Sequence, residues 1–304
     1  MKRIEIGTAF SASSVSLGCM RMSGLDEKRI DGIMSTALEN GIDFFDHADI
    51  YGGGNCEKLF GEYLKRNSGV RDKIKIQTKC AIHDGQYDFS KDYIIKSVEG
   101  SLSRLGIDCV DVLLLHRPDT LMEPEQVAEA FDALESSGKV KHFGVSNHHM
   151  MQIELLKTAV KQPIIINQLQ FSVTEAGMVT SGMNVNMKNA ESQMHDGFLL
   201  EYSRLKNITV QAWSPFQYGF FKGTFIDNED FPELNKKLAE IAEKYGITKT
   251  GVAAAWIMRH PANIQLIAGT MNPVHLKEIC DASDVTLTHS EWYEIYRAAG
   301  HCLP

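Results

Sequence analysis

Short apolar runs alternate with longer amphipathic stretches along the whole chain, and few folds admit that rhythm. The runs fall at Ser14–Met20, Asp43–Phe45, Lys73–Lys79, Cys109–Leu115, Val140–Ser146, Pro163–Leu169, Ile208–Trp213 and Asn263–Ala268. Cys109–Leu115 is apolar almost without interruption, as a parallel strand covered on both faces should be. Between the runs lie helical periodicities. Pro124–Ser137 sets Val127, Ala130, Phe131 and Leu134 at i, i+3, i+4 and i+7, with Pro124 at its start and Gly138 past its end. Phe231–Tyr245 sets Leu234, Leu238, Ile241, Ala242 and Tyr245 on one face and is closed by a glycine. Asp26–Glu39, Lys58–Arg66, Ser90–Leu105, His148–Val160, Thr250–Arg259 and Pro273–Ala282 read as further helices, and His289–Tyr293 as the capped start of a terminal one. Regular alternation predicts a single-domain (β/α)8 TIM barrel over residues 1–304. No Gly-x-Gly-x-x-Gly follows the first run, which weighs against a doubly wound dinucleotide fold.

One stretch breaks the rhythm. Residues 172–197 are rich in Met, Asn, Ser and Gly. A connection that long after a strand predicts a lid over the active site.

Composition removes several classes. Net charge is −8, from 39 acidic residues against 31 Lys and Arg, which argues against a nucleic-acid surface. No apolar leader follows Met1-Lys2-Arg3, and the apolar runs are too short to span a membrane. Cys19, Cys56, Cys80, Cys109, Cys280 and Cys302 include no Cys-x-x-Cys pair. Reduced thiols, no zinc or other metal, no disulfide framework and a cytoplasmic setting are expected. Cys80 follows Lys79 directly and reads as packing, with a reactive thiol near the site as the alternative.

Chemistry-bearing side chains recur where the predicted strands end. Asp46 closes the second run, Tyr51 lies on the Gly-rich turn after it, Lys79 closes the third run and His116 the fourth. Singly, each has a plainer reading: a structural ion pair for Lys79 and Asp46, a core histidine for His116, packing for Tyr51. Together they suggest one proton-transfer site at the mouth of a barrel. A tyrosine is a poor acid unless its pKa falls from about 10, and a neighbouring lysine cation would lower it. Such a set suits carbonyl reduction.

Five ordered motifs carry a family likeness. They are Asp46–Gly52 with Gly54–Gly61, Leu105–His116, Gly138–Asn147, Asn167-Gln168, and Trp213–Phe216 with Gly219, Phe220 and Gly223. Over nearly its full length the chain resembles the aldo-keto reductase superfamily. Within it, His47–Gly53, His116-Arg117-Pro118-Asp119 and Trp213 are most similar to the bacterial YdhF-like oxidoreductases.

The resemblance implies NAD(P)H-dependent reduction of an aldehyde, ketone or quinone-like carbonyl to the alcohol by hydride transfer. Tyr51 would be the general acid, Lys79 would stabilise the tyrosinate, Asp46 would pair with Lys79, and His116 would orient the substrate oxygen. Ser146, Asn147 and Gln168 would hold the nicotinamide carboxamide. Trp213 would stack in place of the usual Tyr. The turn Ser214 to Gly223, with Pro215, Phe216 and Gly219, would wrap the pyrophosphate with backbone N–H groups, Lys222 adding a cation. Gln217 stands where many relatives have Gly. Gly18, Met20 and Arg21 would border ribose and phosphates. Gly269, Thr270, Met271 and Asn272, with His275 and Lys277 on the next helix, would meet a 2′-phosphate. His275 stands where Arg or Gln is common, and Ile279 where an adenine-contacting Asn is common. The implied cofactor is therefore NADP(H), with NAD(H) open.

The expected partner is a small carbonyl compound, and a monomer is the family habit. Tyr87 and Phe89 are candidates for the pocket wall, with loop packing as the alternative. Three rivals remain from sequence: a cofactor-sensing regulatory protein with slow turnover, a Schiff-base enzyme using Lys79, and a purely structural barrel.

Overall fold

The computed structural model describes residues 1–304 except 186, 193–197, 221 and 304. Its first element is an antiparallel hairpin, β1 (Arg3–Ile6) and β2 (Phe10–Ser13). The sequence reading did not anticipate it. Ile4, Ile6 and Ala12 pack on Phe44, Val112, Leu114, Ile165 and Ile166, closing the N-terminal end of a barrel. Arg3 pairs with Asp43 at 2.7 Å to hold the hairpin there.

Eight parallel strands form that closed barrel. They are β3 (Val15–Gly18), β4 (Phe44–Asp46), β5 (Lys75–Cys80), β8 (Val110–Leu115), β9 (Val140–Ser146), β10 (Ile164–Gln170), β11 (Thr209–Trp213) and β12 (Gln265–Ala268). Each predicted apolar run supplies one of them. Two short strands, β6 (Ile82–His83) and β7 (Gln86–Tyr87), make a surface hairpin after β5.

Helices α1 (Glu27–Glu39), α2 (Asn55–Arg66), α3 (Lys91–Leu105), α4 (Pro124–Ser136) and α5 (Met150–Leu156) follow β3, β4, β5, β8 and β9. After β10 come α6 (Gly177–Met183) and α7 (Leu199–Lys206). After β11 come α8 (Pro232–Tyr245) and α9 (Lys249–Met258), and after β12 come α10 (Pro273–Asp281) and α11 (His289–Ala298). Their apolar faces share one core with the outer faces of the strands. α8 packs on α9 and α11. No helix among the described residues is long and apolar enough to cross a membrane.

The start of the stretch expected as a lid is anchored to the core. Val173, Ala176, Met178 and Val179 are buried in the core through the first half of 172–197. Thr180 and Tyr296 pair their hydroxyls at 2.8 Å, and Ser172 Oγ donates to the Gln217 carbonyl at 2.9 Å. Polar composition suggested a loop, but its few apolar residues form one inward stripe that pins it. Residues 186 and 193–197 of the expected lid lie outside the described residues. Phe89 is buried in the core and Tyr87 is exposed on the β6–β7 hairpin.

α11 begins with a reciprocal cap. Thr288 Oγ1 accepts from the Glu291 N–H, and the Glu291 carboxylate accepts from Thr288 N at 2.7 Å. Burial opposes the Glu291 charge, but Lys244, Thr288 and Tyr245 outweigh it and hold the carboxyl down at about 2. A depressed carboxyl stabilises the fold above its unfolded pKa, and that support is lost as pH falls through the folded value. Glu291→Gln should cost about 1 kcal/mol at neutral pH in urea unfolding. Its gap to wild type should close as the pH falls from about 4.5 towards 2.

Candidate active site

A cavity of about 1370 Å³ opens at the C-terminal ends of the strands. Its floor is built on Lys79, from the end of β5. That side chain is fully buried, and its Nζ donates to Asp46 Oδ2, the His47 carbonyl and Tyr51 Oη, each at 2.9 Å. Tyr51 reaches this point because the turn after it runs through the left-handed region at Gly52, Gly53 and Gly54, with φ of 58°, 63° and 89°. A Cβ on Gly52 would also stand 2.7 Å from that of Ser23. His116, after β8, meets the Tyr51 ring edge-on with centroids 5.9 Å apart.

Hydrogen-bond direction decides what this cluster can do. An ammonium has only protons to give, so Tyr51 Oη accepts from Lys79 and keeps its own proton for the cavity. Burial opposes the Lys79 charge, but Asp46 and Tyr51 outweigh it and raise its pKa. That is wrong for an amine nucleophile, which must be neutral. Burial also pushes the Tyr51 phenol above its ordinary value near 10, with Lys79 pulling against it and Asp46 adding to the rise. The expected net lowering is thus corrected: in the buried cluster, desolvation outweighs the cation, and Tyr51 is held as the neutral phenol. His116 is driven well below its ordinary range by burial, then by Lys79 and Arg117, so it is neutral at pH 7. Its Nδ1 is buried without a hydrogen-bond partner among the described residues. Cys80 is buried and its thiol pushed well up, an inert packing group.

The structure gathers most of the predicted cofactor residues around the same cavity. Ser146, Asn147 and Gln168 line it beside Asp46 and Tyr51. Asn147, itself left-handed with φ of 57°, accepts from Trp213 Nε1 at 3.1 Å and donates to Ser146 Oγ. Trp213, Ser214, Pro215 and Phe216 form one wall, and Gly18, Met20 and Arg21 another. Gly269, Thr270, Met271 and Asn272 border the far end.

Other predicted positions fall outside. Gly219 does not line the cavity; its N–H donates to Glu175 at 2.6 Å and its carbonyl accepts from Gln170. Lys222 and His275 are exposed and do not line it either. Ile279 faces the core, so its comparison with an adenine-contacting Asn is corrected: it stands on the inner side of α10.

Sequence reading missed Lys28 and Arg29 of α1, which line the cavity together with Arg21 and Asn272. β12 pairs with β3 to close the barrel, and α1 packs on α10. That adjacency of chain ends was the available signal. The lining carries four cations, Arg21, Lys28, Arg29 and Arg117. Its one carboxylate among the described residues, Asp46, already faces Lys79. On a chain of net charge −8 this is a local site for an anionic ligand. A phosphate-bearing dinucleotide fits its size, its cations and its amide-lined inner end.

The aldo/keto reductase family model matches residues 14–299. The chain belongs to that family. It is 34% identical over 313 residues to 6-dehydroglucose reductase of Agrobacterium fabrum strain C58, covering 98% of each chain. It is 32% identical over 290 residues to oxidoreductase YdhF of Escherichia coli strain K12, covering 92% of this chain and 91% of that one. Among solved structures, an aldo/keto reductase from Klebsiella pneumoniae in complex with NADP and acetate matches with a TM-score of 0.77. It is 21% identical, and the match covers 97% of this chain and 94% of that one. The expected family, the YdhF likeness and the barrel are all borne out.

For an aldo/keto reductase, the Lys79–Asp46 pair carries an energetic liability. Lys79→Met would strand the Asp46 carboxylate in the barrel floor. It should cost about 3–5 kcal/mol in urea unfolding, and adding Asp46→Asn should return part of that loss.

Proposed function

We propose that this protein reduces an aldehyde or ketone carbonyl to the alcohol with NADP(H), Tyr51 being the proton donor. One observation carries the reading: Tyr51 Oη accepts from a fully buried Lys79 and so has its own proton free towards the cavity, next to a neutral His116. A nicotinamide, when bound, supplies the hydride.

The chain's own groups do the rest. Tyr51 and His116 hold the carbonyl oxygen between them, which orients it and polarises it. As negative charge grows on that oxygen, the Tyr51 proton moves to it. Lys79, kept charged by Asp46, stabilises the tyrosinate left behind. Ile50, Ile82 and Phe220 give the cavity apolar wall surface against which a substrate's carbon skeleton can pack. NADP is favoured over NAD by the three cations at the far end, Arg21, Lys28 and Arg29. The 6-dehydroglucose reductase among the relatives supports a carbonyl substrate.

Tyr51→Phe should lower the rate of NADPH-dependent aldehyde reduction by roughly 10²- to 10⁴-fold. The Kd for NADPH, read from quenching of protein fluorescence, should stay near wild type. Full activity in Tyr51→Phe would remove the acid assignment.

The cofactor claim has its own test. Lys28→Ala combined with Arg29→Ala should raise the Kd for NADPH roughly tenfold more than that for NADH, the worth of a charge-assisted contact to phosphate. Equal weakening of both would put the 2′-phosphate elsewhere.

A further inference from the structure

Four glutamines run through the barrel interior, and only Gln168 has been given a role so far. Gln77, Gln168, Gln211 and Gln265 are each at most 3% exposed. Strand register brings them together: Asp46 pairs with Gln77, and Gln211 pairs with both Gln168 and Gln265. Gln77 Nε2 donates to Asp46 Oδ1 at 2.5 Å and to Gln211 Oε1 at 2.9 Å. Gln168 Nε2 donates to the same two oxygens, at 3.0 Å and 2.9 Å. The result is a closed square. Two amide nitrogens lie on one diagonal, and Asp46 Oδ1 and Gln211 Oε1 lie on the other.

The polarity of this square is forced. Gln211 Nε2 donates to Gln265 Oε1 at 2.8 Å, and Gln265 Nε2 donates to the Ser13 carbonyl at 2.7 Å. A backbone carbonyl can only accept, so Gln265 must turn its nitrogen to Ser13 and its oxygen to Gln211. Gln211 must then turn its own oxygen towards Gln77 and Gln168. The carboxylate at the other end faces two amide donors. Flipping any one amide would set oxygen against oxygen or nitrogen against nitrogen in a buried site, which is costly.

We propose that Gln211 is a positioning residue for cofactor recognition. By accepting an N–H from Gln168, it uses up the second of that amide's two donors and leaves only the Gln168 carbonyl oxygen to face the cavity. The site therefore selects a nicotinamide carboxamide that presents its N–H. This rests on the nicotinamide reading above. With Gln211 removed, Gln168 keeps its bond to Asp46 but has one unpaired N–H. It can then turn that donor into the cavity and serve a ligand carbonyl instead.

The test compares NADP with its acetylpyridine analogue, in which a methyl replaces the carboxamide NH₂. Binding is followed by quenching of protein fluorescence, so turnover is not needed. Wild type should bind NADP roughly 10- to 100-fold more tightly than the analogue. Gln211→Met should narrow that ratio by about fivefold or more. Gln211→Glu, which as the protonated acid accepts from both amides with one oxygen and donates to Gln265 Oε1 with the other, should keep it, which a mere filling of space would not do. Gln211→Asn, too short to reach Gln168, replaces the methionine variant if that one does not fold. A wild-type ratio near one, or an unchanged ratio in Gln211→Met or Gln211→Asn, would overturn the proposal while leaving the nicotinamide reading intact. Failure of wild type to bind either nucleotide would overturn both.

Discussion

A buried ammonium is the constraint on which the rest of this structure depends. Lys79 is fully buried on the barrel floor. Its charge persists there only because three acceptors surround it. Those acceptors come from one short stretch of chain, Asp46 to Tyr51, and three consecutive left-handed glycines bring that stretch round. The acceptor that is a phenol gains a function from its place. It takes a proton's worth of hydrogen bond from behind and has its own proton to give in front. Asp46 needs further donors in its turn, and the interior glutamines supply them. Structural satisfaction of one charge thus reaches from the hairpin at Ser13 to the cavity.

The legible parts of the sequence were those governed by local pattern. The barrel strands could be read because strands covered on both faces are nearly continuous in apolar residues. The Asp46, Tyr51, Lys79 and His116 positions could be read because each follows a strand end. Quantities set by burial could not. Lys79 alone predicted a lowered Tyr51 pKa, whereas desolvation of the whole cluster raises it. Contacts made by closure of the barrel were equally hidden. Lys28 and Arg29 sit far in sequence from Asn272 and yet share a cavity with it. At the start of 172–197, four buried apolar residues anchor a stretch whose polar composition reads as a loop. Ile279 was read by its motif position, but its helix turns it inward.

The charge of the whole chain and the charge of its cavity have opposite signs. The chain holds 39 acids against 31 Lys and Arg, yet among the described residues the cavity lining keeps four cations against one carboxylate, which is paired with Lys79. Such a contrast concentrates anions where they are used and excludes like-charged neighbours. Family membership gives the fold and the class of chemistry. Ile50, Ile82, Phe220 and Trp213 line the cavity with the cluster, and family membership alone does not say what they accept.

The most direct measurement follows the hydride itself. The protein would be given NADPH deuterated at C4 of the nicotinamide, on either face, with an aldehyde that it consumes. The alcohol would then be examined by mass spectrometry and NMR. Transfer of one deuterium to the carbinol carbon, from one face only, is the predicted result. An alcohol free of deuterium from both labelled cofactors, or loss of the aldehyde without alcohol, would contradict direct reduction at this site.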